Sequence, residues 1–500
     1  MLLNMKIKIK LLLIFSYAPI ILFGQESNFK EKPIITNHEV KVNGKSIKYS
    51  AEAGFQEVFD EKDKAIGALF YTYYKRKDVN KDEERPILIS FNGGPGSASV
   101  WMHIAYTGPR VLKIDDEGFP IQAYGIEENP YSILDVADIV YVNPINTGYS
   151  RGYKDEDGDI KKDKFFGVQE DISYLAKWVS NFISNKNRWL SPKFLIGESY
   201  GTTRVSGLAY QLQNAHWMYL NGVILVSPTE LGMERNGPVE IANRIPYYTA
   251  AAWYHGKLPN QFKNMELEEV LEISEDFAIN KLTPLLVRGN SISKDEKSKI
   301  CQTLEELTGI KARVYLQHNL EVPFTYFWKE LLREEGYTIG RLDSRYKGID
   351  EKDAGERPEY NAELSSWLHS FTPAINHYLK NELKIETPAE YLMFGNVSPW
   401  DRTKNNSSGK QLRRAMTQNP KLKVLIQAGY FDGATTYFNA KYNMWHIDES
   451  GKMQNRFEFK AYKSGHMMYL RREDLKKSND DLRTFIINTM EEAKASSAKY

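Results

Sequence analysis

The sequence predicts an α/β fold: a mostly parallel central sheet with helices on both faces and a large, mainly helical cap insertion. Three observations predict it. Short apolar runs at 86–91, 139–142, 193–196 and 220–226 alternate with segments of helical period at 165–183 and 203–212, the pattern of strands buried on both faces. The alternation stops near 229 and gives way to charged, aromatic-rich helical segments as far as 420. It then resumes with the runs 424–428 and 456–462 and a helical tail over 472–495.

The composition fits an ordinary enzyme. Of 500 residues, 42% are hydrophobic, 26% charged and 13% aromatic, outside the disordered range. Lys and Arg (66) nearly cancel Asp and Glu (65), for a formal charge of +1. A nucleic-acid partner would call for a basic excess or stripe, so none is expected. Cys301 is the only cysteine and cannot form an intrachain bridge. Its setting in an amphipathic helical stretch reads as core filler, not as a nucleophile.

Taken in order, Lys6, Lys8 and Lys10 precede an apolar run at 11–23, and Gly24 ends it. This is the layout of a secretory signal peptide over 1–24, too short for the roughly 20 residues of a membrane span. No cysteine follows that could carry a lipid anchor. The expected product is an exported chain, periplasmic or secreted, with no membrane span after cleavage. Residues 39–53 alternate around Asn43-Gly44, a hairpin signal, and 66–74 reads as a further strand. In 165–183 the apolar residues Val168, Ile172, Leu175, Trp178, Val179 and Phe182 fall at helical spacing. The predicted organisation is a first part of the core over 25–228, a helical cap over 229–420, and a second part of the core over 421–500.

Gly197-Glu198-Ser199-Tyr200-Gly201 fits G-x-S-x-G. Alone the match is weak, but a predicted strand precedes it and a predicted helix follows. That is the setting of a nucleophile elbow, in which a strained turn lifts the serine hydroxyl out of the sheet. A serine hydroxyl needs a base to take its proton and an acid to orient that base. His466 sits in the loop between the last strand and the last helix; His446 has no strand leading into it. Asp432 follows the strand 424–428, at the carboxyl end where α/β sites form; Asp448 lies beyond the next helical stretch. Ser199, Asp432 and His466 are therefore the expected triad, in the chain order of the α/β-hydrolase fold. Asp432 also stands where it could cap the turn before Ala434.

A tetrahedral intermediate needs N–H donors aimed at its oxygen, each worth about 3 kcal/mol of barrier. Asn92-Gly93-Gly94-Pro95-Gly96 ends an early strand, where this fold places one donor. The second is the amide after the nucleophile, Tyr200. A phosphate loop is excluded because no Gly-Lys-Ser/Thr ending follows.

Asn92 to Gly96, Gly197 to Gly201 and Gly465-His466-Met467 together resemble the signature blocks of the serine carboxypeptidases, with looser fits at 142–150 and 429–432. The resemblance spans about 86–470. It implies an α/β-hydrolase that removes C-terminal residues from peptides through an acyl-enzyme, with an oxyanion hole from the Gly94 and Tyr200 amides. It further implies that Asn92, Gly93 and Glu198 hold the substrate carboxylate, with Glu198 protonated, since two ionised carboxylates would repel. An acidic optimum would follow. No metal or other cofactor is expected: there is no His-Glu-x-x-His and no Cys/His cluster.

Two positions depart from the family pattern. Ser90 stands where a Trp is usual, and Tyr106 replaces a second glutamate. Tyr106 is expected to donate a hydrogen bond to the substrate carboxylate or to Glu198. An esterase, an acyltransferase or another peptidase using the same triad is the alternative, and a non-catalytic binding protein is a third reading. The aromatic segment 245–255 either lines the pocket for the residue preceding the scissile bond or packs on the core.

Overall fold

The computed structural model describes residues 32–495 apart from 80, 82–83, 122–124, 402 and 404–405. The predicted leader, 1–24, lies outside the described residues. Nine strands build the main sheet: β1 (Ile34–Val42), β2 (Lys45–Phe59), β3 (Ala65–Arg76), β4 (Ile87–Phe91), β5 (Asp138–Val142), β6 (Lys193–Glu198), β7 (Gly222–Val226), β8 (Lys423–Gly429) and β9 (Phe457–Tyr462). A two-residue strand, Arg151–Gly152, adds to β3. The order is β1-β2-β3-β5-β4-β6-β7-β8-β9. From β5 to β9 all neighbours are parallel; β1, β2, β3 and β5 pair antiparallel. The predicted hairpin at Asn43-Gly44 is thus the first turn of an antiparallel edge on a parallel sheet.

Alternation along the central strands divides the core in two. Ile87, Ile89, Phe91, Leu195, Val223 and Leu225 pack on one face, with Trp178, Val179 and Phe182 of helix Val168–Asn185. Leu88, Phe194, Ile196, Ile224 and Val226 pack on the other, with Leu482 and Phe485 of the final helix Arg472–Ala495. A strand covered on both faces is apolar at every position, which is why these runs read as unbroken in the sequence. Each large apolar side chain removed from water in this way contributes about 1.5–3 kcal/mol relative to exposure.

The inserted stretch is less uniform than a single helical cap over 229–420. Most buried apolar residues from Ala242 to Ile339 form a separate core that includes Tyr247, Tyr248 and Phe327, while Ala250, Leu267 and Leu271 of the same stretch join the layer of Trp178. Trp367, Phe371 and Tyr378 join the sheet's own layer instead, and Leu412 and Met416 of helix Ser408–Gln418 join the opposite one. The second half of the insertion therefore packs as part of the main core. Cys301 is buried in helix Lys294–Thr308. Among the described residues no helix is long and apolar enough to cross a membrane.

Candidate active site

The parallel strands end side by side. Phe91 pairs with Gly197 and Val226 with Glu198, so the loop after β4 and the turn after β6 emerge together. Ser199 heads helix Tyr200–Ala215 with φ 56° and ψ −125°, a left-handed conformation that costs a non-glycine residue about 1–3 kcal/mol. The turn closes only because its flanks are glycines. A Cβ on Gly197 would lie 2.1 Å from the Gly201 carbonyl oxygen, and one on Gly201 would lie 2.4 Å from that of Phe91. The predicted elbow is present, strain included.

Asp432 and His466 extend from the next two strands. His466 Nδ1 lies 2.7 Å from Asp432 Oδ2. Asp432 is fully buried and also accepts from the Ala434 and Thr435 amides, at 2.8 and 3.0 Å. It is both the partner of the imidazole and the cap of its own turn. Thr435 Oγ1 closes the cluster: it lies 2.7 Å from Asp432 Oδ2, 3.1 Å from His466 Nδ1 and 2.9 Å from the Ser227 carbonyl. Burial alone would lower the His466 pKa; the charge and hydrogen bond of Asp432 outweigh it and raise it above the ordinary value. Ser199 Oγ makes no hydrogen bond to His466 here. Such bonds are commonly long before substrate arrives and tighten in the reacting complex.

The glycine loop lies against the elbow. A Cβ on Gly93 would stand 2.5 Å from the Tyr200 nitrogen and 3.0 Å from Ser199 Cβ. Neither the Gly94 nor the Tyr200 amide donates to another main-chain group among the described residues. Two free N–H groups beside a serine hydroxyl can receive a developing oxyanion.

Glu198 is buried, and its pKa is pushed up to about 7. Desolvation is the main cause and the charge of Asp432 adds to it, against the opposing effects of His466, Tyr469 and Asn92. Asn92 is fully buried beside it; its Oδ1 accepts from the Met102 amide at 3.3 Å, while Nδ2 forms no well-aligned hydrogen bond.

Tyr106 is not part of this group, contrary to expectation. Its hydroxyl donates to Gln427 Oε1 at 2.7 Å and approaches the Ser478 carbonyl at 3.3 Å, deep in the core. The neighbour that donates to Glu198 is Tyr469, whose ring stacks on Tyr106 at 4.7 Å. Helix Val100–Ala105 turns the Tyr106 side chain towards β8 and the final helix, where a buried glutamine and a main-chain carbonyl satisfy it. Tyr469 and Thr435 lie in no motif, and their one signal in the sequence is a position three residues after His466 and Asp432. Ser90, also buried, has no hydrogen-bond partner for its hydroxyl. The aromatic segment divides: Tyr248 stacks on Phe327 at 3.9 Å and Trp328 Nε1 donates to the Tyr247 hydroxyl at 3.0 Å, while Tyr254 and His255 line an open cavity with Phe119, Arg345 and Lys347.

Comparison with known proteins shows the family of this chain. The family profile described as serine carboxypeptidase matches residues 42–475. Serine carboxypeptidase-like 15 of Arabidopsis thaliana is 23% identical over 354 residues, 68% of this chain and 75% of that protein. Serine carboxypeptidase-like 8 of the same plant is 29% identical over 187 residues, 35% of this chain and 40% of its own length. Several such alignments thus span under half of the relative concerned. Among solved structures, the prohormone-processing carboxypeptidase KEX1 of Saccharomyces cerevisiae shares the fold with a TM-score of 0.52 and 13% identity, over 88% of this chain and 91% of that one. The profile runs from the first hairpin into the last helix and takes in the elbow, the glycine loop and the acid and base loops, so this chain belongs to the serine carboxypeptidase family.

Proposed function

We propose that this protein is an exported serine carboxypeptidase that removes C-terminal residues from peptides through an acyl-enzyme on Ser199. Its chief support, beyond the family, is a juxtaposition at the elbow. Glu198, a buried carboxyl poised near neutrality, immediately precedes Ser199 and faces the unpaired amide of Asn92. A substrate carboxylate would supply what both lack: an acceptor for the Glu198 proton and for Asn92 Nδ2, with Gly93 completing the cradle.

In the reaction, His466 takes the Ser199 proton as Oγ attacks the carbonyl, and the Gly94 and Tyr200 N–H groups hold the oxyanion. Asp432 orients the imidazole and stabilises its charged form. His466 then protonates the leaving amine, and water, activated in the same way, releases the acyl group. Export rests on the basic and apolar pattern of residues 1–24.

The test is mass spectrometry of paired free-acid and C-terminally amidated peptides, with wild type and Ser199→Ala. Stepwise loss from free-acid peptides alone, absent in the variant, is the expected result. Cleavage indifferent to the terminus would favour an esterase, an acyltransferase or another peptidase. The observation on that side is the removal of Tyr106 from the site, which leaves the carboxylate one donor fewer than expected.

A further inference from the structure

One charged pair beside the site has no part in the chemistry just described. Arg204, in the helix that Ser199 heads, is 1% exposed, as is Asp171 of helix Val168–Asn185. Arg204 Nε donates to Asp171 Oδ2 at 2.7 Å. Both of its terminal nitrogens reach the glycine loop. Nη1 reaches the Asn92 carbonyl at 2.5 Å and that of Gly93 at 3.4 Å, and Nη2 reaches the Pro95 carbonyl at 2.6 Å. The guanidinium carbon also lies 4.9 Å from the centre of the Tyr200 ring, one helical turn back.

We propose that Arg204 is a positioning residue for acyl transfer, fixing the peptide plane that presents the Gly94 N–H to the oxyanion. The proposal rests on the acyl-enzyme reading above. The physical link is peptide planarity: the Gly93 carbonyl and the Gly94 N–H belong to one rigid unit, so holding the first aims the second. The Ser97 amide holds the same carbonyl at 3.0 Å, and the two donors together leave the plane little freedom. A cation on the carbonyl also polarises the amide and strengthens its N–H as a donor. Stability alone does not account for the pair, because apolar residues of equal volume commonly replace a buried ion pair without loss. Lysine cannot substitute, since one ammonium cannot serve Asp171 and three carbonyls in a planar fork.

The experiment compares wild type, Arg204→Lys and the double variant Asp171→Leu/Arg204→Met, each as the full chain with its unfolding midpoint recorded. The probes are a peptide ending in an aldehyde and the matching alcohol. Ser199 Oγ adds to the aldehyde carbon and its proton passes to His466, leaving the former carbonyl oxygen as an oxyanion; the alcohol cannot react. Arg204→Lys is expected to lower kcat by about tenfold or more with KM within about threefold, against the roughly 100- to 1000-fold cost of deleting a donor outright. The aldehyde-over-alcohol preference should shrink by the same factor, and in the double variant also. Folded variants that keep the wild-type preference, or that weaken both ligands equally, overturn the proposal. Failure of both variants to fold assigns the pair to stability alone and overturns it too. A wild type with no preference for the aldehyde sinks the acyl-enzyme reading itself.

Discussion

The main-chain N–H of His466 donates to the carbonyl of Leu342 at 2.6 Å. The base loop therefore hangs on a segment of the insertion. The same segment holds the acid loop, with the Gly433 N–H on the Arg341 carbonyl and the Ser344 N–H on that of Phe431, each at 3.0 Å. The Leu342 amide in turn donates to Glu363 Oε1 at 2.8 Å. Residues far apart in the chain thus form one clamp around Asp432 and His466.

Glu363 gives the clamp a pH dependence. Burial pushes its pKa up to about 7 from an ordinary 4.5, so the folded state favours the neutral form. The neutral form's advantage is fully present below about 4.5 and is lost as the pH rises through 7, a change of up to about 3 kcal/mol. Glu363→Gln removes the ionisation. Its stability relative to wild type is expected to improve between pH 4.5 and 8 by that order, measured as unfolding midpoints across the range. A constant difference would place the pH response elsewhere.

Tyr469 and Tyr106 should part company under mutation. Tyr469→Phe removes a hydrogen bond that favours ionised Glu198, so the Glu198 pKa rises. The pH at which free-acid peptides lose affinity should then move upward, read from KM between pH 5 and 8. Tyr106→Phe leaves that KM unchanged. It costs about 1–3 kcal/mol in urea unfolding, because Gln427 Oε1 loses its buried donor.

Glu198 and His466 titrate as neighbours. An ionised Glu198 raises the His466 pKa, so Glu198→Gln should lower it and carry the acid limb of activity to lower pH. An activated ester is the right probe, since its acylation of Ser199 needs no carboxylate recognition. An acid limb that stays in place would uncouple the two groups.

For the triad, Ser199→Ala should abolish turnover with the fold intact. Asp432→Asn should reduce kcat by about 10⁴, because an amide facing Nδ1 favours the wrong imidazole tautomer. Active-site titration with a serine-reactive phosphonate, beside the unfolding midpoint, separates lost chemistry from lost structure.

What the sequence determined by itself was everything written in short-range pattern. Short apolar runs marked the strands β4 to β8 and alternation marked β9, glycines at fixed offsets marked the elbow and the loop at Asn92 to Gly96, and position after a strand marked Asp432 and His466. What only the tertiary structure decided was which way long side chains point and whom they meet. Tyr106 occupies a family position for a carboxylate ligand, yet helix Val100–Ala105 delivers its hydroxyl to Gln427, 321 residues away. Tyr469 reaches Glu198 across 271 residues, and Arg204 reaches the glycine loop across about 110. The division of the insertion between its own core and the sheet's layers was hidden for the same cause. Periodicity reports that a face is apolar, while the partner that buries it is chosen by packing between elements with no local relation in the chain.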